Sequence, residues 1–264
     1  MNTSTSIKNR LDLLFESKNE RILSLYYTAG FPNPEDTIPV LEALQESGAD
    51  IVEIGMPFSD PIADGPTIQE SNKKALDQGM SIEKLFAQLK EMRNKVDLPV
   101  ILMGYLNPVM QYGVEKFCAS CQEVGIDGLI LPDLPMAEYL DFYKPTFDQY
   151  GLYNIFLITP QTSDDRVKEI DRNSRGFMYM VSSASTTGAK NEITDVQRQY
   201  FERIKNMQLS IPRLIGFGIS NKETFDQACA HANGAIIGSA FINLLDRSKD
   251  LKKDIREFIN GIKN

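Results

Sequence analysis

Histidine is nearly absent from this chain, cysteine is scarce and cations are outnumbered by anions, and each shortage removes a class of function. His231 is the only imidazole and falls in a predicted outer helix without a Ser or Cys partner arrangement, so a histidine-based triad has no support. Three cysteines cannot all pair, and nothing points to secretion, so the thiols are expected to be reduced. Cys118 and Cys121 have C-x-x-C spacing, yet both fall on a helical apolar stripe, and no second pair completes a zinc site; no metal is expected. With 28 Lys and Arg against 36 Asp and Glu, the net charge of −8 would repel phosphodiester backbones and anionic lipid. Nucleic acid and membrane surfaces are therefore not expected partners, and an anionic substrate needs locally placed donors. No apolar run approaches the ~18 residues of a membrane span. The opening stretch from Met1 to Arg21 mixes Asp12, Glu16 and Glu20 with its apolar residues, unlike a signal peptide. The expected location is cytoplasmic.

What the chain does have is a repeating pattern. Eight short apolar or β-branched runs recur along it: Ile22 to Thr28, Ile51 to Gly55, Val100 to Tyr105, Gly128 to Leu131, Tyr153 to Ile158, Phe177 to Val181, Arg213 to Gly216 and Ala235 to Gly238. Stretches with helical spacing lie between them, such as Ile82, Leu85, Phe86 and Leu89, then Val114, Phe117, Cys118, Cys121 and Val124. Asn33 before Pro34 reads as an N-cap and first helical position, and Gly48, Gly79 and Gly125 read as helix ends. Alternating strands and helices imply a parallel sheet with right-handed crossovers, and eight units in 264 residues leave 33 residues for each. The expected fold is a single (β/α)8 TIM barrel, one catalytic domain over residues 1–264, with an extra N-terminal helix. Ile7, Leu11, Leu14 and Phe15 would let that helix plug the N-terminal mouth. The rival is an open doubly wound sheet, but Thr28-Ala29-Gly30-Phe31-Pro32 stands where its dinucleotide fingerprint would be.

Glu53 places a carboxylate inside the apolar run Ile51-Val52-Glu53-Ile54-Gly55, a costly position. It is either a structural acid paired with a buried cation or a reactive group near a barrel strand's C-terminal end. Burial favours its neutral form, which suits a general acid/base near neutral pH. The following loop, residues 56–66, carries three prolines and two further acids, Asp60 and Asp64. Alone, either aspartate reads as a turn former; beside Glu53 they become candidates for the site. Thr187-Gly188, Gly216-Phe217-Gly218 and Gly238-Ser239 follow the sixth, seventh and eighth candidate strands, where this fold binds phosphate, and Gly238-Ser239 opens a short predicted helix from Ala240 to Leu245. Each glycine taken singly is also a plausible turn.

The segment from Glu53 through Gln69, EIGMPFSDPIADGPTIQ, resembles the signature of the tryptophan synthase alpha subunit family. Tyr27 to Pro32, Met103 to Pro108, Pro132 to Pro135 and Gly216 to Ser220 support the resemblance over nearly the whole chain. It implies retro-aldol cleavage of indole-3-glycerol phosphate to indole and glyceraldehyde 3-phosphate, with no cofactor in this subunit. By matching position, Glu53 is the acid/base, and Asp64 holds the ring N–H and stabilises an indolenine cation. Ile68, Tyr105, Tyr179 and Phe217 match residues around the indole; Thr187, Gly188, Gly218, Gly238 and Ser239 match loop and phosphate positions. The resemblance also implies a pyridoxal-phosphate beta subunit in an α2β2 complex, with Asp60 and Pro61 at the interface. A free-standing lyase and a barrel retained only to activate a partner are the alternatives, and the presence of both Glu53 and Asp64 argues against the second. In the sixth loop Ser183 and Ser185 stand where the family commonly has Arg and Gly, a change that would stiffen a lid.

Overall fold

A computed structural model describes residues 8–182, 194–216 and 218–264. Its sheet contains nine parallel strands: β1 (Ile22–Thr28), β2 (Ile51–Gly55), β3 (Val100–Met103), β4 (Gly128–Ile130), β5 (Tyr153–Asn154), β6 (Leu157–Ile158), β7 (Met178–Val181), β8 (Arg213–Gly216) and β9 (Gly234–Ile237). β1 pairs with both β2 and β9, so the first and last strands are neighbours. The sheet order runs from β5 through β1 and β9 to β6, and only Ile155 and Phe156 separate β5 from β6 in the chain. The Ile155 N–H donates to Leu129 O at 2.9 Å, while the Tyr179 N–H donates to Phe156 O at 2.9 Å. One kinked segment thus joins β4 to β7 and closes a (β/α)8 barrel. The apolar run Tyr153 to Ile158 predicts a single strand, because it continues through a kink that only cross-strand pairing reveals.

Ile22, Ile51, Ile101, Ile130, Phe177 and Leu214 fill the barrel interior together with Leu11. Leu11 is fully buried and comes from α1 (Arg10–Ser17), which therefore plugs the barrel as expected; Ile7 lies outside the described residues. The Asn9 side chain caps α1 at the Leu11 N–H and donates to Asp127 O at 2.8 Å. Asp127, itself buried, accepts from Arg10 at 3.1 Å and Arg93 at 2.7 Å, so its charge is paired instead of stranded in the interior.

The outer layer is formed by α2 (Thr37–Ser47), α3 (Pro66–Asp77), α4 (Ile82–Leu89), α5 (Leu106–Tyr112), α6 (Val114–Val124) and the later helices. α4 buries Leu85, Phe86 and Leu89, and α6 buries Phe117, Cys118, Cys121 and Val124, the stripes that helical spacing marks out. Each Leu, Phe and Val among them contributes about 1.5–3 kcal/mol of burial. Gly48 and Gly125 end α2 and α6 in the left-handed conformation.

Two local expectations are corrected. Helix α2 starts at Thr37, not Pro34: the Asn33 N–H and side-chain amide both donate to the Asp36 carboxylate, closing a turn that delays the helix. His231 lies in a turn beyond the helix Lys222–Cys229, not within it, and its ring packs 5.7 Å from that of Phe201. Among the described residues no helix is long and apolar enough to cross a membrane.

Candidate active site

Strand alternation builds the floor of the site. In β1, Ile22 packs in the barrel interior and Leu23 and Leu25 pack outward, so Ser24, Tyr26 and Thr28 share the inward face with Ile22. In β2, Ile51, Glu53 and Gly55 occupy the corresponding face, and parallel register sets Ser24 beside Ile51 and Tyr26 beside Glu53.

Glu53 is fully buried. Ser24 Oγ donates to its Oε1 at 2.7 Å, while Oε2 has no hydrogen-bond partner among the described residues. Among the described residues no cation pairs with it, which argues against the structural reading in which a buried Arg or Lys neutralises the acid. Burial pushes its pKa up to about 7, against a smaller opposing effect of the Ser24 hydrogen bond. Both protonation states are accessible near neutral pH.

Asp64 comes from the loop joining β2 to α3. That loop folds tightly: the Ile62 N–H donates to Asp60 O, and the Asp64 N–H to Pro61 O at 3.0 Å. Gln69 on α3 donates to Asp64 O at 2.9 Å, anchoring the loop to the helix. Asp64 is buried, and desolvation raises its pKa to about 6, opposed by the Tyr105 hydrogen bond. Tyr105, just beyond β3, donates to Asp64 Oδ2 at 3.3 Å and accepts from the Ala63 N–H at 3.0 Å. Its ring lies 5.1 Å from that of Phe58, so the loop is braced at two points.

Tyr179 on β7 and Tyr26 on β1 both feel the fields of Glu53 and Asp64. Burial, the largest cause, and these anions keep both phenols protonated. Room for the hydroxyls depends on glycine: a Cβ at Gly55 would overlap the Tyr26 hydroxyl, and one at Gly216 would overlap that of Tyr179.

Just beyond β9, the strand paired with β1, Gly238 caps the helix Ser239–Arg247, longer than expected by a residue at its start and two at its end. A Cβ at Gly238 would sit 3.7 Å from Ile68 Cδ1 and 3.7 Å from Tyr26, so the helix start adjoins the carboxylates' surroundings. The first-turn amides of such a helix lack intrahelical acceptors and favour an anion. Gly218 follows β8 with φ +80°, and among the described residues no atom lies within 4 Å of where its Cβ would be. Thr187, Gly188 and Phe217, along with the lid serines Ser183 and Ser185, lie outside the described residues. Asp60 is exposed, Pro61 is buried, and Ile62 is 88% exposed at the loop's outer edge.

The structure thus brings Glu53, Asp64, Tyr105, Tyr179, Ile68 and Gly238 to one end of the barrel. Ser24, Tyr26 and the buried Thr28–Ser71 hydroxyl pair were missed. Their signal was present: Ser24 and Thr28 are polar residues on the same parity of an otherwise apolar strand, and that parity faces Glu53.

A barrel whose strand ends gather two buried acids of raised proton affinity defines a class, the (β/α)8 enzymes that move protons on a small bound molecule. The profile of the tryptophan synthase alpha chain family matches residues 14–262. The tryptophan synthase alpha chain of Flavobacterium johnsoniae is 56% identical over 246 residues, covering 93% of this chain and 96% of its own. That of Parabacteroides distasonis is 53% identical over 255 residues, covering 97% and 99%. The crystal structure of tryptophan synthase subunit alpha from Legionella pneumophila strain Paris superposes with a TM-score of 0.86 at 35% identity, covering 97% of both chains. A chain of M. tuberculosis tryptophan synthase in an aminoacrylate-bound form gives a TM-score of 0.84 at 29% identity, covering 97% and 98%. The chain belongs to the tryptophan synthase alpha chain family, and it is a carbon–carbon lyase of tryptophan biosynthesis.

Proposed function

We propose that Glu53 and Asp64 carry the reaction of this enzyme, the cleavage of indole-3-glycerol phosphate to indole and glyceraldehyde 3-phosphate. The observation that supports these roles most is the state of Glu53: fully buried, held at one oxygen by Ser24, without a partner at the other among the described residues, with a pKa of about 7.

Protonated Glu53 donates its proton to ring carbon C3 of the indole, which makes an indolenine cation. Asp64, ionised above its pKa of about 6, accepts the ring N–H and offsets the new positive charge. Glu53, now a carboxylate, takes the proton of the side-chain hydroxyl adjacent to C3. The C3–C bond breaks, its electron pair restores the aromatic ring, and the hydroxyl carbon becomes the aldehyde of glyceraldehyde 3-phosphate. Glu53 ends protonated, as it began, so no external proton or redox partner is needed. Ile68, Tyr105, Tyr179 and Phe217 bound the indole, while Gly218, Gly238 and Ser239, with Thr187 and Gly188, take the phosphate. Tyr105 holds Asp64 in place through the hydroxyl that also accepts from Ala63.

Residues 1–264 act as one catalytic domain in the cytoplasm, with no cofactor of their own. The partner is a pyridoxal-phosphate beta subunit in an α2β2 complex, contacted through the loop bearing Asp60 and Pro61. Exposed Asp60 and Ile62 at the edge of that loop support this docking, since the same loop carries Asp64 inward. The test is to incubate the purified chain with indole-3-glycerol phosphate and measure indole, with and without a beta subunit. Indole release, stimulated by the partner, is expected; no indole under either condition overturns the assignment.

A further inference from the structure

We propose that Ser24 is a positioning residue for the cleavage reaction, one that fixes the Glu53 carboxyl and leaves Oε2 as the oxygen that exchanges the proton with substrate. The inference rests on the reading of Glu53 as the acid/base.

Ser24 and Glu53 project inward from adjacent strands whose register is set by Ser24 opposite Ile51. Both residues are fully buried, and the Ser24 hydroxyl donates its one proton to Oε1 at 2.7 Å. Oε1 is thereby committed as an acceptor in either charge state. The acidic proton then belongs on Oε2, which has no partner among the described residues. A carboxylic acid with two equivalent oxygens in an apolar barrel would rotate between orientations, and only some of them aim its proton at the substrate. One buried hydrogen bond removes that freedom from the ground state, before the substrate arrives.

The other inward-facing groups do not share this task. Tyr26 reaches across toward Gly55, and its recorded side-chain partner is Thr28 at 3.4 Å. Tyr179 on β7 faces Glu53 as a phenol held neutral by burial and by the surrounding acids, and Asp64 with Tyr105 stands at the mouth. The β3 residue paired with Glu53 is Ile101, which has no titratable group. A donor to Oε1 also favours the ionised acid, so Ser24 strengthens Glu53 as a proton donor to carbon.

The test compares Ser24→Val with Ser24→Thr, two β-branched replacements that differ only in the hydroxyl. Steady-state cleavage of indole-3-glycerol phosphate is measured across pH for both, alongside wild type and Glu53→Gln. Valine is expected to lower kcat about fivefold to tenfold, with KM within about twofold, and threonine to retain at least about half of wild-type kcat. The high-pH limb of kcat/KM, where Glu53 loses its proton, is expected to move up by about half a unit or more in the valine variant, because the carboxylate loses its donor. Ser24→Ala repeats the comparison without added volume should valine perturb the strand. Equal losses in the valine and threonine variants would mean that Ser24 only fills space. Wild-type kcat and an unmoved limb in Ser24→Val, with Glu53→Gln inactive, would overturn the proposal and leave the role of Glu53 standing. An active Glu53→Gln would instead remove the reading on which the proposal rests.

Discussion

Burying an ionisable acid that no described cation neutralises should make this enzyme less stable as pH rises, and replacing Glu53 should recover that loss. The folded-state pKa of Glu53 is about 7, against an ordinary value of 4.5. The folded protein therefore binds this proton more tightly than the unfolded chain does. Stability from the protonated acid is fully present below about pH 4.5 and is lost progressively as the pH climbs through 7, since the unfolded state ionises first. Two and a half pKa units at 1.36 kcal/mol each give a loss of about 3 kcal/mol, complete by about pH 8. Glu53→Gln keeps the shape and the acceptor for Ser24 but cannot ionise. Any fixed cost of the buried amide is the same at every pH, so the informative quantity is the change in the mutant's stability relative to wild type. Urea unfolding at about pH 4, 6 and 8 should show that difference rising in the mutant's favour by about 3 kcal/mol, a large part of the ~5–15 kcal/mol of a typical domain. A difference that stays flat from about pH 4 to 8 would refute the desolvated environment that the burial of Glu53 implies.

Three further outcomes follow from the site. Asp64→Asn keeps a hydrogen-bonding side chain but removes the charge opposite the indolenine, so kcat should fall by about tenfold or more with little change in KM; an unchanged kcat with a raised KM would make Asp64 a binding residue only. Gly238→Val should crowd the helix start beside Ile68 and Tyr26 and raise KM for indole-3-glycerol phosphate, while cleavage of a phosphate-free analogue changes much less. Equal losses on both substrates would withdraw the phosphate assignment. Saturating beta subunit should stimulate wild-type indole formation about tenfold to a hundredfold, which requires only ~1.4–2.7 kcal/mol of transition-state stabilisation. Asp60→Ala should blunt the effect, and a partner that binds without stimulating would sever the loop from Asp64.

Much of this was legible in the sequence because barrels write themselves in short apolar runs. β1 and β2 were expected with the bounds they have, since each is a single run bordered by turn residues. Residues 153–158 were read as one strand because apolar content does not report the kink at Ile155 and Phe156. The start of α2 was misplaced because Asn33-Pro34 looks like a cap, whereas Asp36 uses its carboxylate to hold Asn33 in a turn. At the site, Glu53 announced itself as a charge in an apolar strand, and Asp64 only through the motif around it. Ser24 escaped notice because a serine in a strand is unremarkable until register sets it against an acid. Its parity in β1 is a local clue, but its significance comes from β1 pairing with β2, which is a non-local fact. The room that the Tyr26 and Tyr179 hydroxyls occupy depends on Gly55 and Gly216 having no Cβ, and as isolated letters these glycines read as strand ends.

The central claim is that Glu53 carries the proton in both directions. Its most direct test is the turnover number of purified Glu53→Gln on saturating indole-3-glycerol phosphate, measured as indole formed, with circular dichroism and urea unfolding establishing that the barrel is intact. An isosteric group that cannot exchange a proton should lower kcat by about 10²- to 10⁴-fold while substrate binding persists. A folded mutant that keeps more than about a third of wild-type turnover would contradict the account, because general acid/base catalysis by this residue leaves no room for so small a loss.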